Sequence, residues 1–193
     1  MPQIRTVCVY CGSSIAVAEA YRAAATELGA ALAGAGIELV YGGGHRGLMG
    51  LLADAALAAG GRVTGIIPAA MREAEWAHQG VSELLVVDSM HTRKRLMAEK
   101  AEAFAVLPGG VGTLDETFEI LSWRQLRLHD KPVYLVDVGG YWRPLLDLLD
   151  GVAAAGFAAP VVPNLMRVVA DVPALLTELS HAAPGHRARA DLL

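Results

Sequence analysis

Short apolar runs alternate with longer segments of helical spacing along the whole chain. Seven runs rich in Val, Ile and Leu predict strands at Ile4–Tyr10, Ile37–Tyr41, Arg62–Ile67, Glu83–Val87, Ala103–Leu107, Pro132–Val136 and Leu165–Val169. Six intervening segments predict helices at Ala16–Ala35, Leu48–Ala59, His91–Ala101, Leu114–Leu128, Trp142–Ala155 and Val172–His181. Nearly continuous apolar strands suit a parallel sheet that is buried on both faces. The alternation therefore predicts a Rossmann-like α/β fold, with a doubly wound, mostly parallel sheet and helices on both faces.

Composition narrows the class of protein. The chain has 193 residues, 54% of them hydrophobic, and a formal net charge of −4. This balance excludes a disordered chain, and the length predicts one domain over residues 1–183 with a flexible tail at 184–193. The mild acidity argues against nucleic-acid binding. The apolar blocks are too short for a transmembrane helix and the first residues lack a signal-peptide pattern, so we expect a cytoplasmic protein without membrane contact.

Cysteine and tryptophan residues add little chemistry. Cys8 and Cys11 are predicted to be buried thiols, because no second cysteine pair or histidine cluster completes a zinc site. Trp123 and Trp142 fall in predicted helices and are expected in the core or an interface. Trp76 follows the third predicted strand in a loop, where it is better placed to line a pocket.

Three predicted strands end in glycine-rich loops, the region where a doubly wound sheet binds its ligands. These loops are Cys11 to Ser14, Gly42 to Gly47 and Pro108 to Thr113. Glycines let a phosphate approach backbone N–H groups at a helix start, so Gly12, Ser13, Gly43 and Gly44 are candidate phosphate or ribose contacts. The alternative is that the glycines only form tight turns. The spacing matches neither a P-loop nor a dinucleotide fingerprint.

Charged residues at the starts of two predicted helices are candidates for a functional role. Arg93 and Lys94 oppose the helix dipole, and a bound phosphate is one reason for cations at such a position. Thr113 and Glu116 fit a capping box, in which Glu116 caps its own helix. In the alternative, Glu116 projects a carboxylate beside a bound anion, where it holds ribose hydroxyls, orients water or offsets positive charge on a sugar ring.

The segment Met90-His91-Thr92-Arg93-Lys94, followed by Pro108-Gly109-Gly110-Val111-Gly112-Thr113-Leu114-Asp115-Glu116, closely resembles the LOG (LONELY GUY) family. Members of that family are cytokinin riboside 5′-monophosphate phosphoribohydrolases, long mislabelled as lysine decarboxylases. The resemblance implies hydrolysis of the N-glycosidic bond of N6-modified adenosine 5′-monophosphates, with Arg93 and Glu116 as catalytic residues. It assigns substrate contacts to Glu75, Lys94, Gly110, Val111, Gly112, Thr113, Leu114, Asp115 and Ser122. It also implies a homodimer that needs neither a metal nor another cofactor.

The chain departs from the family pattern at three positions, and two other functions compete. Val111 replaces a common aromatic residue and Arg124 a small one, so both are expected to influence the preferred base. Asp115 replaces a glutamate, which puts its ribose contact in doubt. One competing function is a non-catalytic carrier of a phosphorylated ligand such as molybdenum cofactor. The other is a pyridoxal phosphate enzyme, which would need a Schiff-base lysine among Lys94, Lys100 and Lys131.

Overall fold

The computed structural model describes residues 4–73, 76–161 and 164–185. Within these residues, seven parallel strands form one sheet in the order β4-β3-β2-β1-β5-β6-β7. The strands are β1 (Thr6–Tyr10), β2 (Glu38–Tyr41), β3 (Val63–Pro68), β4 (Glu83–Val87), β5 (Ala103–Val106), β6 (Val133–Val136) and β7 (Arg167–Val169). The predicted α/β class and doubly wound sheet are confirmed. The strand order reverses between β1 and β5, which is where this fold opens a crevice.

Helices connect the strands on both faces of the sheet. They are α1 (Glu19–Gly34), α2 (Gly47–Ala58), α3 (Ala69–Glu73), α4 (Met90–Lys100), α5 (Val111–Gln125), α6 (Arg143–Ala154) and α7 (Val172–His181). The sequence did not predict α3 or the 3₁₀ turn Val138–Gly140, because elements this short carry no helical periodicity. Helix α1 begins three residues after its predicted start, since Ala18 is still extended. Helix α5 begins three residues before its predicted start.

Alternate side chains of each strand enter two separate apolar layers. In β1, Val7 and Val9 pack with α1, α2 and α7, whereas Cys8 and Tyr10 pack with α4, α5 and α6. Helices α4 and α5 therefore lie on the same face, and both begin at the carboxyl edge of the sheet. Cys8 and Cys11 are free and buried, as predicted, and burial raises the pKa of both thiols. Trp142 is buried and Trp123 packs against the same layer, which confirms their predicted core positions.

The C-terminal tail is described only in part. Gly185, in the predicted tail, packs directly against the backbone of Lys131, while residues 186–193 lie outside the described residues.

No helix among the described residues has the length and apolar character needed to cross a membrane.

Helix α1 packs against α2 through Gly29. A Cβ atom at Gly29 would collide with the backbone oxygen of Leu52, which is fixed in α2. We expect Gly29→Ala to lower the free energy of unfolding by about 1–3 kcal/mol, because an added methyl group forces the helices apart. Urea denaturation measures the change. The matched control is Gly34→Ala in the same helix, where a Cβ atom meets nothing within 4 Å. Equal stability of the two variants would contradict the prediction.

Candidate active site

The three predicted glycine-rich loops meet at the carboxyl edge of the sheet, around the crevice between β1 and β5. The Gly12 N–H donates to the Pro108 carbonyl at 3.0 Å, and the Leu48 N–H donates to the Gly12 carbonyl at 3.0 Å. Gly47, with φ of +60°, packs so closely on the Ser13 backbone that no side chain fits between them. The loops that follow β1, β2 and β5 therefore form one continuous surface.

Arg93 lies beneath this surface, in the first turn of α4. The helix is capped by Ser89, whose Oγ accepts from the Thr92 N–H at 3.1 Å. The Arg93 side chain turns inward, and the residue is only 6% exposed. Its Nε donates to the Ile66 carbonyl at 3.1 Å and its Nη2 to the Gly42 carbonyl at 3.2 Å. The guanidinium thus spans the carboxyl ends of β2 and β3.

The charged partner of this guanidinium is Glu116 of α5. Arg93 Nη1 donates to Glu116 Oε1 at 3.0 Å, and the glutamate is 8% exposed. This contact replaces the predicted capping box, which is wrong. Helix α5 begins at Val111 with Gly110 as its N-cap, so Thr113 is already the third helical residue and Glu116 lies in the second turn. Glu116 is therefore too far along the helix to cap it and turns to Arg93 instead.

The environment of Glu116 sets its protonation. Burial raises the pKa of Glu116 above its ordinary value, although the neighbouring Arg93 guanidinium lowers it in part. A carboxyl group whose pKa is moved toward neutrality exchanges protons efficiently under physiological conditions. The pairing also explains a cation in the first turn of α4, which the sequence attributed to a phosphate ligand. Arg93 Nη1 lies 3.0 Å from Glu116 Oε1, so the folded chain itself provides a negative partner for this cation.

Lys94 forms a second ion-pair cluster between α4 and α5. Its Nζ lies 3.2 Å from Asp115 Oδ2 and 3.1 Å from Glu119 Oε1. Burial disfavours its charged form, but the hydrogen bonds to Glu119 and Asp115 outweigh this effect and raise the pKa of Lys94. Lys94 and Asp115, both expected to contact substrate, are therefore held together beside the Arg93–Glu116 pair.

The N-terminus of α5 is open to ligands. A Cβ atom added at Gly110 or Gly112 would meet nothing within 4 Å, and Val111 is 83% exposed. At Gly109, in contrast, a side chain would collide with Thr113, so this glycine is required by close packing. The first N–H groups of a helix lack intrahelical partners and carry the positive end of its dipole, so the terminus has the chemistry that suits an anion.

A cavity of about 280 Å³ adjoins this helix terminus. Gly12 and Ser13 line it from one side, and Gly109 and Gly110 line it from the other. Tyr141 closes the rim, where its hydroxyl donates to the Gly109 carbonyl at 2.7 Å. Two of the candidate phosphate contacts, Gly12 and Ser13, are thus brought next to the open end of α5.

A second, largely apolar cavity of about 440 Å³ has Gly42 in its wall. The side chains that line it include Ile15, Met49, Met71 and Trp76. Trp76 therefore lines a pocket, as predicted. Its loop is fixed by His45, whose N–H donates to the Trp76 carbonyl at 3.0 Å. Met49 and Met71 could not be predicted as cavity residues from the sequence, because an isolated methionine carries no pattern that separates a cavity wall from a core position.

The remaining predicted site residues are Gly43, Gly44, Leu114, Ser122 and Glu75. Gly44 lines the apolar cavity, whereas Gly43 has φ of +74° and packs tightly on Ile66 and Ile67, as a turn requires. Leu114 is half-buried and Ser122 is exposed, the latter six residues beyond Glu116 on α5. Glu75 lies outside the described residues.

Arg124 lies near the C-terminal end of α5, away from the site. Its Nη1 donates to the Lys131 carbonyl at 2.6 Å, immediately before β6. This position does not support the expected influence of Arg124 on the preferred base.

A pyridoxal phosphate enzyme needs a lysine near its ligand site, and a metal site needs several grouped ligands. Lys131 is buried at the amino edge of the sheet, where Nζ donates to the Ala98 carbonyl, and Lys100 is exposed at the end of α4. Neither lysine faces the glycine loops, and Lys94 is held in its ion-pair cluster. In the described part of the chain, no three His, Cys, Asp or Glu residues are grouped to hold a metal ion.

Comparison with known proteins shows which family this chain belongs to. The family profile described as "Possible lysine decarboxylase" matches residues 49–179. The cytokinin riboside 5′-monophosphate phosphoribohydrolase of Rhodococcoides fascians is 45% identical over 172 residues, which cover 89% of this chain and 87% of the relative. An Arabidopsis thaliana enzyme of the same name is 40% identical over 184 residues, which cover 95% and 86% of the two chains. The chain belongs to the LOG family.

Solved structures show how widely the LOG fold is shared. The molybdenum cofactor carrier protein of Chlamydomonas reinhardtii aligns with a TM-score of 0.69 at 23% identity, covering 90% of this chain and 94% of that chain. The molybdenum cofactor binding protein of Rippkaea orientalis aligns with a TM-score of 0.68 at 19% identity and the same coverage. At this identity the likeness concerns the fold alone.

The Arg93 pocket in this LOG protein depends on the absence of a side chain at Gly42. A Cβ atom there would overlap Arg93 Nη2. We expect Gly42→Ala to displace the guanidinium, so that the pKa of Glu116 rises further because its nearest positive charge moves away. A ¹³C NMR titration of the Glu116 carboxyl group measures the shift. Gly151→Ala in α6, where a Cβ atom meets nothing within 4 Å, is the control. An unchanged titration in Gly42→Ala would contradict this account of the pocket.

Proposed function

We propose that this chain is a cytokinin riboside 5′-monophosphate phosphoribohydrolase. The enzyme hydrolyses the N-glycosidic bond of N6-modified adenosine 5′-monophosphates and releases the free base and ribose 5-phosphate. Relatives with 40–48% identity carry this name, several of them as probable enzymes. The observation that carries the proposal is the buried Arg93–Glu116 pair beside the open N-terminus of α5.

The 5′-phosphate is expected to bind at the start of α5. The backbone N–H groups that follow Gly110 supply donors, and the cavity lined by Gly12 and Ser13 supplies space. Glu116 lies in the next turn of the same helix, so a phosphate at the helix terminus brings the ribose toward its carboxylate. The helix thus fixes the spacing between the anchored phosphate and the reacting sugar.

Glu116 acts on water and on the sugar. Cleavage of an N-glycosidic bond passes through a sugar ring with oxocarbenium character, which a nearby carboxylate stabilises. As the bond from the anomeric carbon to the base breaks, a water oxygen forms a new bond to that carbon. Glu116 takes a proton from this water and later returns it to solvent, while the departing base takes a proton from solvent on its ring nitrogen, so one water is consumed for each bond cleaved.

Arg93 holds Glu116 in place and partly offsets the rise in the pKa of Glu116 that burial causes. Three donors of the guanidinium are directed to Ile66, Gly42 and Glu116, which leaves the side chain little freedom to follow a substrate. A fixed cation beside the carboxylate maintains a base that can still accept a proton. We therefore assign Arg93 to the orientation and charge of Glu116 in preference to the phosphate.

The apolar cavity accounts for an N6-modified base. Gly42 lines this cavity and also bonds to Arg93, so the cavity opens directly beside the site. Its methionine and tryptophan side chains suit an isoprenoid substituent, for which flexible thioethers and an aromatic face provide apolar contact. Unmodified AMP would leave this surface unfilled.

The proposal includes a cytoplasmic homodimer. Val111 is 83% exposed and Phe118 is 39% exposed, and the two lie seven residues apart on one face of α5. Two apolar side chains exposed next to a site of this kind are typical of a surface that a second copy covers.

A carrier of a phosphorylated ligand remains the alternative function. The shared fold of the molybdenum cofactor proteins is compatible with it, but a carrier has no need of a buried glutamate with a raised pKa. Incubation with N6-isopentenyl-AMP separates the two functions, because only an enzyme forms ribose 5-phosphate.

Replacement of Glu116 tests the proposed reaction. Glu116→Gln keeps the shape of the side chain but cannot accept a proton, so we expect kcat for base release to fall by about 10²–10⁴-fold. Chromatography of the released base measures the rate. The control is Glu27→Gln on the exposed face of α1, which is expected to retain full activity. A Glu116→Gln variant with nearly normal turnover would rule out this role.

Truncation of Trp76 tests the use of the apolar cavity. We expect Trp76→Ala to lower kcat/KM for N6-isopentenyl-AMP by about tenfold or more, since loss of a buried apolar contact costs about 1.5–3 kcal/mol. The same variant should change kcat/KM for AMP much less, because AMP has no substituent to fill the cavity. Parallel assays with both substrates measure the ratio. Equal losses on both substrates would contradict a role for this cavity in base selection.

A further inference from the structure

A short loop between α5 and β6, whose first and third residues are buried, contains charged and titratable groups that the proposed reaction does not use. It consists of His129, Asp130 and Lys131, and we call it the brace. Lys131 is 1% exposed and His129 is 5% exposed. Burying an ammonium group costs free energy unless it is hydrogen-bonded, so Lys131 needs an acceptor inside the protein.

The brace is attached to α4 through Lys131. Its Nζ donates to the Ala98 carbonyl at 2.6 Å. Ala98 lies in the last turn of α4, where helix carbonyls lack intrahelical partners and the dipole favours a positive charge. The buried ammonium group therefore caps the C-terminal end of this helix.

The brace is attached to α5 through two further hydrogen bonds. His129 Nε2 lies 2.9 Å from the Ile120 carbonyl, and Arg124 Nη1 donates to the Lys131 carbonyl at 2.6 Å. A carbonyl can only accept, so Nε2 carries the proton, while Nδ1 accepts from the Lys131 N–H at 3.2 Å. Burial lowers the pKa of His129 to about 4, which keeps this neutral form at physiological pH.

The two anchoring carbonyls lie close to the reacting groups along their helices. Ala98 is five residues after Arg93 in α4, about 7.5 Å along the axis, and Ile120 is four residues after Glu116 in α5, about 6 Å. The brace thus connects the two helices that carry the two halves of the ion pair.

We propose that Lys131 and His129 are positioning residues, which hold α4 and α5 at the separation that the Arg93–Glu116 hydrogen bond requires. This inference rests on the proposed function for its catalytic consequence. The contact between Arg93 and Glu116 is 3.0 Å long, and a displacement of one helix by 1 Å would exceed hydrogen-bonding distance. Misplacement of this size can lower a rate by about 100-fold.

Lys131→Met tests the inference because methionine keeps the volume of the side chain but cannot donate. We expect kcat per folded molecule to fall about 10- to 100-fold, with a smaller change in KM. Lys100→Met, an exposed change at the end of the same helix, controls for the loss of one positive charge. Leu179→Ala in α7, on the opposite face of the sheet, controls for lost stability alone.

The titration of Glu116 provides a measurement that does not depend on activity. The charged or titratable groups that act on this carboxyl are Arg93 and Lys94 from α4 and Asp115 from α5. Cys8 and Tyr10 in β1 and Cys11 in the loop after it also lie close to it. Among these, the brace controls the distance to Arg93. By ¹³C NMR we expect the pKa of Glu116 to rise in Lys131→Met and to stay unchanged in Leu179→Ala.

Three outcomes decide the inference. If Lys131→Met matches Leu179→Ala in both kcat per folded molecule and the Glu116 titration, the brace is only structural and the inference is overturned. If Lys131→Met does not fold, His129→Leu is compared with His129→Gln, whose amide can still donate to the Ile120 carbonyl; only the leucine variant should show the losses. If the wild type releases no base, the proposed function fails, while the Glu116 titration still tests the positioning role.

Discussion

The buried ion pair between Arg93 and Glu116 is the constraint on which the site depends. Removing two charges from water costs several kcal/mol for each ion, and their mutual attraction compensates only when the remaining donors and acceptors are also bonded. Here the guanidinium meets the Ile66 and Gly42 carbonyls as well as the carboxylate. Loss of either partner would leave an uncompensated buried charge, so the arrangement tolerates little variation around it.

The ends of the parallel strands supply the hydrogen-bond acceptors that the buried ion pair needs. Carbonyl groups at the ends of β2 and β3 are available because both strands terminate at the same edge, and Gly42 leaves room for the guanidinium. Helices α4 and α5 begin at that edge and approach it from the same face. The same topology that opens a crevice for a ligand thus supplies the acceptors that keep Arg93 charged inside the protein.

Sequence patterns predicted the fold well because it rests on local periodicity. Seven apolar runs became seven strands, and the glycine-rich loops met at one edge as expected. The patterns also selected Arg93 and Glu116, but not their relationship. The spacing of Thr113 and Glu116 fits a helix cap equally well. In the structure α5 begins at Val111, and Glu116 contacts Arg93, which lies 23 residues earlier in the chain.

Charge balance at the site links ligand binding to proton transfer in the proposed reaction. Lys94 is already matched by Asp115 and Glu119, so it offers little additional positive charge to an incoming phosphate. A dianionic phosphate at the start of α5 places new negative charge near Glu116, which favours the protonated form of that carboxyl. Substrate binding therefore increases the proton affinity of Glu116 at the stage when it must take a proton from water. Arg93 opposes this shift, and the distance between the two side chains sets how strongly it does so.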